Sequence, residues 1–423
     1  MALIDTGKTK IQSLDHHGCG IAKSDSGEKL AIQYTLPGEV VEYEIHKTKY
    51  KKNAVLSKHI EKSPERAADK CAYYTQCGGC LLQHANEDTY NKIKTGQIEY
   101  YLRENKLECD ISPIQSVGTS ARRRANFEYA KKDEKSFLGF HKYRLNQIID
   151  IKECPSVRKE ISDILPDLKA LCDEILENKQ RANIYVTIAN NGLDILIRLK
   201  KPQEFRASAK DMINRFFEKT KSARVKISNK KSILAEFKTE DPYINFDGIS
   251  VKINPDSFLQ SSYESDEILL NLAKKYLAPQ KDDFIADLFC GRGTFSIPLS
   301  RICKIDSYES DKDSLAALDV ASLNHSLNIK TLQRDLFQAP LFLHELKKYN
   351  KVIINPPRAG ALNQIKELAA SSVSQICYIS CNPETFARDA KILVNAKYKL
   401  KSLTPVDQFV WNPHIEVVAH FEK

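Results

Sequence analysis

The tightest constraint on this chain is the rhythm of its final portion. DFIADLFCGRGTFSIPL, KIDSYES, NIKTLQRDLF, NKVIINPPRAG, SQICYISCNP and HIEVVAHFEK each hold a short apolar strand, and helix-length segments such as SDKDSLAALDVASLNHSL separate most of them. Strands alternating with helices predict an α/β fold with a doubly wound, largely parallel sheet. The last strands follow one another without a helix, so an antiparallel edge is expected. Ligands of such sheets bind beyond the carboxyl ends of the strands, which makes the residues there the first candidates for function.

Asp287-Leu-Phe-Cys-Gly291-Arg-Gly293-Thr294-Phe295 lies where the first of these strands meets a helix. Its two glycines let the backbone pass close to a ligand. The stretch is not the GxGxxG dinucleotide fingerprint, and no Lys-Ser or Lys-Thr follows to make a P-loop. A strand-end acid followed by Gly-x-Gly is instead the arrangement that class I methyltransferases use around S-adenosylmethionine. Glu309 ends the second strand, where a carboxylate meets ribose hydroxyls, and Asp335 follows the third, within reach of an adenine amino group. One such acid is as readily a helix N-cap; three in succession beside Gly-x-Gly favour the ligand reading.

Ile379-Ser380-Cys381-Asn382-Pro383 ends a later strand, and PETFARDAKIL opens a helix. The partial positive charge of that helix terminus is expected to favour a Cys381 thiolate, a candidate nucleophile. Carbon 5 of uracil is too weakly nucleophilic to take a methyl group directly. A thiolate added at carbon 6 makes it nucleophilic, and a general base must later remove the carbon 5 proton. Glu416, in His414-Ile415-Glu416-Val417 at the start of an expected edge strand, is the candidate base.

The remainder is organised differently. From residue 8 to about 60, short runs such as HHGCGIAK and EKLAIQYTLPGEVVEYEIHKTK predict a five-stranded barrel of the OB type, basic at His46, Lys47, Lys49, Lys51 and Lys52, with Tyr50 placed to stack on a base. A helix is expected from Thr89 to Arg103, then a mixed region to about residue 250, in which NIYVTIANNGLDILIRLK reads as two strands around a turn. At least one of Arg122, Arg123 and Arg124 should face solvent, where it could meet a phosphate. Lysine and arginine exceed aspartate and glutamate by 64 to 55, a balance that suits a polyanionic partner. With no apolar leader and no membrane-length apolar run, the expectation is a cytoplasmic protein.

Eleven cysteines in such a chain do not suggest a disulfide framework. Cys71, Cys77 and Cys80, in CAYYTQCGGC, are read as metal ligands, and Cys19, Cys109, Cys172, Cys303 and Cys377 as structural. A closed site needs a fourth ligand. His84 in CLLQH would complete a zinc site, while an iron-sulfur cluster stays equally open from the residues alone.

Taken together, GCGIAK, LPGEVVE, CAYYTQCGGCLLQH, DLFCGRGTF, NPPRAG, ISCNPETFARD and HIE resemble, in order and over nearly the whole chain, the RNA 5-methyluridine methyltransferase family, in its branch with an N-terminal TRAM domain and an iron-sulfur cluster. The resemblance implies a TRAM barrel at 1–62, an α+β central domain carrying the cluster at 63–250 and a Rossmann-like class I catalytic domain at 251–423. It implies Cys381 as nucleophile, Glu416 as base, and S-adenosylmethionine contacts at Gln260, Phe289, Thr294, Glu309, Asp335 and Asn355, with the FLQSSYES region covering the cofactor. It points to Cys154 in ECPSV as the fourth ligand of a [4Fe-4S] cluster. It places the arginine run and GFHKYR in the central RNA-holding domain. The implied partner is RNA, ribosomal before transfer RNA; no membrane is expected, and a monomer is the default.

One position departs from the family pattern. Asn355 stands before Pro-Pro-Arg where aspartate is usual, exchanging a charge for an amide. Asn-Pro-Pro is also the string of amino-group methyltransferases, although those carry an aromatic residue where this chain has Arg358 and have no use for Cys381. A binding-only RNA factor is the other competing reading.

Overall fold

The structure is a computed structural model that describes residues 2–47, 52–133, 135–143, 145–204, 207–229 and 232–423. Lys49, Tyr50 and Lys51, expected to meet RNA, and Arg144 of GFHKYR lie outside the described residues. The chain opens with β1 (Ala2–Lys10), β2 (Ser13–Leu14), β3 (Gly20–Lys23), β4 (Lys29–Ile32), β5 (Val40–Lys47) and β6 (Lys52–Glu61). They form two three-stranded sheets, β1-β5-β6 and β2-β3-β4, where a single five-stranded barrel was expected. Alternation supplies one shared core, with Ile11, Ala22, Ile32, Val41 and Tyr43 all buried. On its surface His46 pairs with Glu44 and Lys52 with Glu28, so two of the expected basic contacts are already engaged.

Helix α1 (Glu87–Glu104) starts at the N-cap Asn86, whose side chain accepts from the Thr89 N–H at 3.0 Å. After β7 (Gln115–Ser116) comes a mixed sheet. Its members are β8 (Arg124–Lys132), β9 (Lys135–His141), β10 (Ile148–Asp150), β11 (Arg181–Ala189), β12 (Gly192–Leu199), β13 (Ser222–Ser228) and β14 (Ile233–Lys238). β11 and β12 are the hairpin expected around Asn-Asn-Gly. Helices α2 (Lys159–Asp163), α3 (Leu165–Ile175) and α4 (Ala207–Thr220) belong to this layer, with Leu165, Leu168, Leu171 and Ile213 in its core. A hairpin, β15 (Tyr243–Phe246) and β16 (Ile249–Lys252), leads to the last portion.

There, α5 (Tyr263–Leu277), β17 (Phe284–Leu288), α6 (Ser296–Ser300), β18 (Lys304–Glu309), α7 (Lys312–Asn324), β19 (Ile329–Gln333), α8 (Leu343–Leu346), β20 (Lys351–Ile354), α9 (Leu362–Ala370), β21 (Gln375–Ser380), α10 (Pro383–Asn395), β22 (Lys399–Asp407) and β23 (Glu416–Glu422) follow. Their sheet runs β19-β18-β17-β20-β21-β23-β22-β7, parallel from β19 to β21. β23 is antiparallel to both β21 and β22. It therefore lies inside the sheet, which corrects the edge-strand reading of Glu416. A direct β-hairpin places the last strand beside β22, and its all-apolar face is then covered on the side of β21 as well. Helix α1 and β7 fall inside the expected 63–250 division, yet Ile98 and Leu102 join the core of this last sheet. No helix among the described residues is long and apolar enough to cross a membrane.

Candidate active site

The carboxyl ends of β17, β18, β20 and β21 open into a cleft of about 840 Å³, closed on one side by the segment around Gln260. Gln260, Phe289, Thr294, Glu309 and Asn355 all line it. Beyond β17 the chain turns sharply, with Phe289 at φ +63° and Gly291 at φ +57°. A Cβ on Gly291 would meet nothing within 4 Å, so its backbone faces open space where a ligand can approach. Glu309 is held by its neighbours: one oxygen accepts from the Gly291 N–H (3.0 Å), the other from Ser310 (2.7 Å) and Asp311 (2.9 Å). Its carboxylate is thus oriented before any ligand arrives.

Asp335 is the exception. It does not line the cleft, and its carboxylate caps the following turn by accepting from the Phe337 N–H at 2.9 Å. Phe337 lines the cleft instead, its ring 5.4 Å from that of Phe289. Asp335 thus caps a turn, with no helix behind it, and the aromatic pair is what sequence reasoning missed; an apolar residue in the polar loop QRDLFQAP was its signal. Asp287 is also withdrawn from the cleft. It is buried, accepts from Ser296 Oγ at 2.5 Å, and burial pushes its carboxyl up to about 7.

Cys381 and Glu416 share the same cleft. Ser380 pairs with Val417 across β21 and β23, so the two residues occupy the next positions at adjoining strand ends. Glu416 is 2% exposed, and burial pushes its carboxyl up to about 7, against the pull of one hydrogen bond from Gln408 Nε2 at 2.5 Å. Burial, then the Glu416 charge, push the Cys381 thiol up to about 11, with Arg358 acting the other way. Burial and a neighbouring carboxylate thus oppose the helix terminus at this thiol. Arg358 donates to His414 Nδ1 at 3.4 Å, and burial followed by Arg358 pushes His414 down to about 4, so this imidazole is neutral.

The arginine run behaves as scaffold more than as surface. Arg123 is 1% exposed, pairs with Asp266 at 2.7 Å, and donates through Nε to the Gln260 carbonyl at 3.2 Å. Arg124 holds the Leu259 carbonyl at 3.1 Å. Only Arg122 and Arg124 reach the cleft wall. Arg123→Ala should therefore destabilise the fold by about 3–5 kcal/mol, the effect of leaving the Asp266 charge buried without its partner. Urea melts would measure this, and weaker S-adenosylhomocysteine binding should accompany it because the Gln260 segment loses its anchor.

Cys71, Cys77, Cys80 and Cys154 line one cavity of about 160 Å³, bounded also by Arg122 and Arg124. None of the four is in a disulfide. The Tyr73 N–H points to Cys71 Sγ and the Gly79 N–H to Cys77 Sγ, each at 3.4 Å. Burial, and to a smaller degree the neighbouring cysteines, push Cys77 up to about 12 and Cys80 up to about 11. Gly78 lets this segment lie against another strand end, since a Cβ there would sit 2.9 Å from the His141 carbonyl oxygen. His84 does not line the cavity; it is buried with Nδ1 2.6 Å from Tyr74 OH, which removes it as the local fourth ligand. Among the described residues no group of three or more His, Cys, Asp or Glu side chains is placed to hold a single metal ion.

Residues 89–423 match the family model for tRNA (uracil-5-)-methyltransferase. The chain belongs to this family. It is accordingly an S-adenosylmethionine-dependent RNA uracil-C5 methyltransferase. An uncharacterized RNA methyltransferase of Brucella suis is 34% identical over 99% of this chain and 98% of its own. The 23S rRNA (uracil(1939)-C(5))-methyltransferase RlmD of Vibrio vulnificus is 30% identical over 98% of this chain and 95% of its own. The fold matches that of Pyrococcus abyssi tRNA (uracil-54, C5)-methyltransferase, solved with S-adenosyl-L-homocysteine, at a TM-score of 0.76 and 22% identity, covering 98% of this chain and 100% of that one. Membership sets aside the amino-group and binding-only readings of Asn355, a cleft-lining residue whose main-chain N–H donates to the Leu288 carbonyl at 3.2 Å.

Proposed function

We propose that the enzyme methylates one uridine in ribosomal RNA through a covalent bond between Cys381 and carbon 6, resolved by Glu416. The observation that carries this is the meeting of Cys381 and Glu416 at adjoining strand ends in one cleft with the Gly-x-Gly loop. The ribosomal substrate is favoured by similarity to RlmD, a relative aligned over 98% of the chain.

Gln260, Phe289, Thr294, Glu309 and Asn355 hold S-adenosylmethionine, which supplies the methyl group. Phe337 takes the contact first expected of Asp335, packing beside Phe289 so that the pair offers an apolar surface to an adenine ring. The target base must leave its stack to reach Cys381. Sγ gives its proton to solvent water in the cleft and adds to carbon 6, the Arg358 charge assisting as the sulfur ionises, and the ring electrons move to make carbon 5 nucleophilic. After carbon 5 is methylated, ionised Glu416 removes its proton, the carbon 6–sulfur bond breaks and the thiolate leaves. The two N-terminal sheets and the central part, with Arg122 at the cleft wall, grip the flanking RNA.

The four cysteines fit a [4Fe-4S] cluster. They surround a cavity in place of converging on one point, and two receive N–H···S bonds of the kind that tune iron-sulfur sites. Anaerobically purified enzyme should contain iron and acid-labile sulfide, both lost in Cys154→Ser; zinc alone would overturn the assignment.

Incubation with labelled S-adenosylmethionine and unmodified 23S rRNA or transfer RNA, followed by nucleoside analysis, tests the function. The expected product is 5-methyluridine in the ribosomal RNA. Label in transfer RNA alone would overturn the substrate, and methylated adenosine or cytidine the chemistry.

A further inference from the structure

Glu416 does not stand alone in the cleft wall. Its carboxylate meets the side-chain amide of Gln408, a residue just beyond β22 that no pattern in the sequence singled out. Gln408 is 2% exposed and Gln260 5%, so both amides are buried in the cleft wall. Buried amides must satisfy their hydrogen bonds, and here the partners decide which way the amide faces.

The Ser261 main-chain N–H lies 3.3 Å from Gln408 Oε1, and Ser261 Oγ lies 3.0 Å from the same atom. A main-chain N–H can only donate, so the atom facing it is the carbonyl oxygen. The amino group is thereby turned to the opposite side. There it donates to Glu416 Oε2 at 2.5 Å and to Gln260 Oε1 at 3.2 Å. Ser261 Oγ also lies 2.9 Å from the Gln408 main-chain oxygen, which fixes the backbone as well as the amide. The preceding residue is fixed too. Asp407 accepts from buried Lys94 Nζ at 2.7 Å and from Tyr90 OH at 2.5 Å.

We propose that Gln408 is the positioning residue for the Glu416 base: clamped by Ser261, it presents an N–H that aims the carboxylate into the cleft and favours its ionised form. This rests on the reading of Glu416 as the base and adds the group that holds it ready. Because Ser261 and Gln260 belong to the segment covering the cofactor, the same amide ties the base to the cofactor wall.

The other titratable groups facing Glu416 make the effect of this amide separable. Cys381 adjoins it from β21, Arg358 and His414 come from loops over the cleft, and Lys94 and Asp407 neutralise each other beside β22. None of the cations bonds the Glu416 carboxylate among the described residues; the amide does.

The test compares wild type, Gln408→Met, which keeps the side-chain length and removes the donor, and Ser261→Ala, which removes one of the two groups that orient the amide. In enzyme labelled with carboxyl-13C glutamate, with Glu416 assigned by its absence in Glu416→Gln, the Glu416 titration should move up by about one pH unit in Gln408→Met and by less in Ser261→Ala. The low-pH limb of release of methylated RNA from the covalent adduct, followed in a single turnover, should move with it. An unmoved titration in both variants overturns the proposal, and should Gln408→Met fail to fold, an unmoved Ser261→Ala does so by itself. The titration needs no turnover, so it judges Gln408 even if wild type methylates no uridine, a result that would instead overturn the function proposed above.

Discussion

Cys381→Ala should lower uridine methylation by about four orders of magnitude or more while S-adenosylhomocysteine still binds. The size follows from the chemistry. Without sulfur on carbon 6, carbon 5 has no route to nucleophilic character, and no neighbouring side chain supplies another nucleophile: Arg358 is a cation, His414 is occupied as an acceptor, and Glu416 is needed for the proton. Cofactor contacts lie on other strand ends, so their affinity should be kept. Single-turnover assays with calorimetry of S-adenosylhomocysteine binding would check both halves. A loss of only about tenfold would mean that Cys381 assists the reaction without bonding to the base.

Glu416→Gln should produce two opposite effects. Turnover should stop after methyl transfer, and a covalent enzyme-RNA species should persist on a denaturing gel, because nothing removes the carbon 5 proton. In wild type the rate should rise with pH through about 7 as Glu416 loses its proton. Stability should change the other way. The folded pKa of about 7 exceeds the ordinary 4.5, so between those values the folded state holds a proton that the unfolded state has released. Stability therefore falls as pH rises through that window and stays lowered above it. Glutamine carries no such burden, and the variant should be more stable than wild type at pH near 8, by on the order of 3 kcal/mol, with the difference vanishing near pH 5. Urea melts at the two pH values would show it; equal stability at both would mean that Glu416 is solvated in the folded enzyme.

The strand-helix rhythm pointed to Glu309 and to the glycine turn, whereas Gln260, Phe289, Thr294 and Asn355 were named only through the family resemblance; all five line the cleft. Asp335 lies away from it for a specific reason. A carboxylate two residues before a free N–H is drawn into a local turn, and the loop then offers Phe337 to the cleft. The environment of Glu416 was illegible for a different one: which strands become neighbours depends on how the chain crosses the sheet, and β23 enters between β21 and β22. The basic run showed charge but not destination, since Arg123 is spent on Asp266. Cys154 could be joined to Cys71, Cys77 and Cys80 only through the family resemblance, because the strands β8, β9 and β10 that bring it back say nothing of thiols.

The pairing of Ser380 with Val417 has a consequence for how such an enzyme diversifies. The proposed nucleophile and base, Cys381 and Glu416, are set apart by strand spacing, a dimension common to all β-sheets, and no loop has to be tuned to maintain it. The reactive pair can thus be inherited intact while the outlying parts that touch RNA are exchanged, so a lineage could acquire new targets without re-inventing its chemistry.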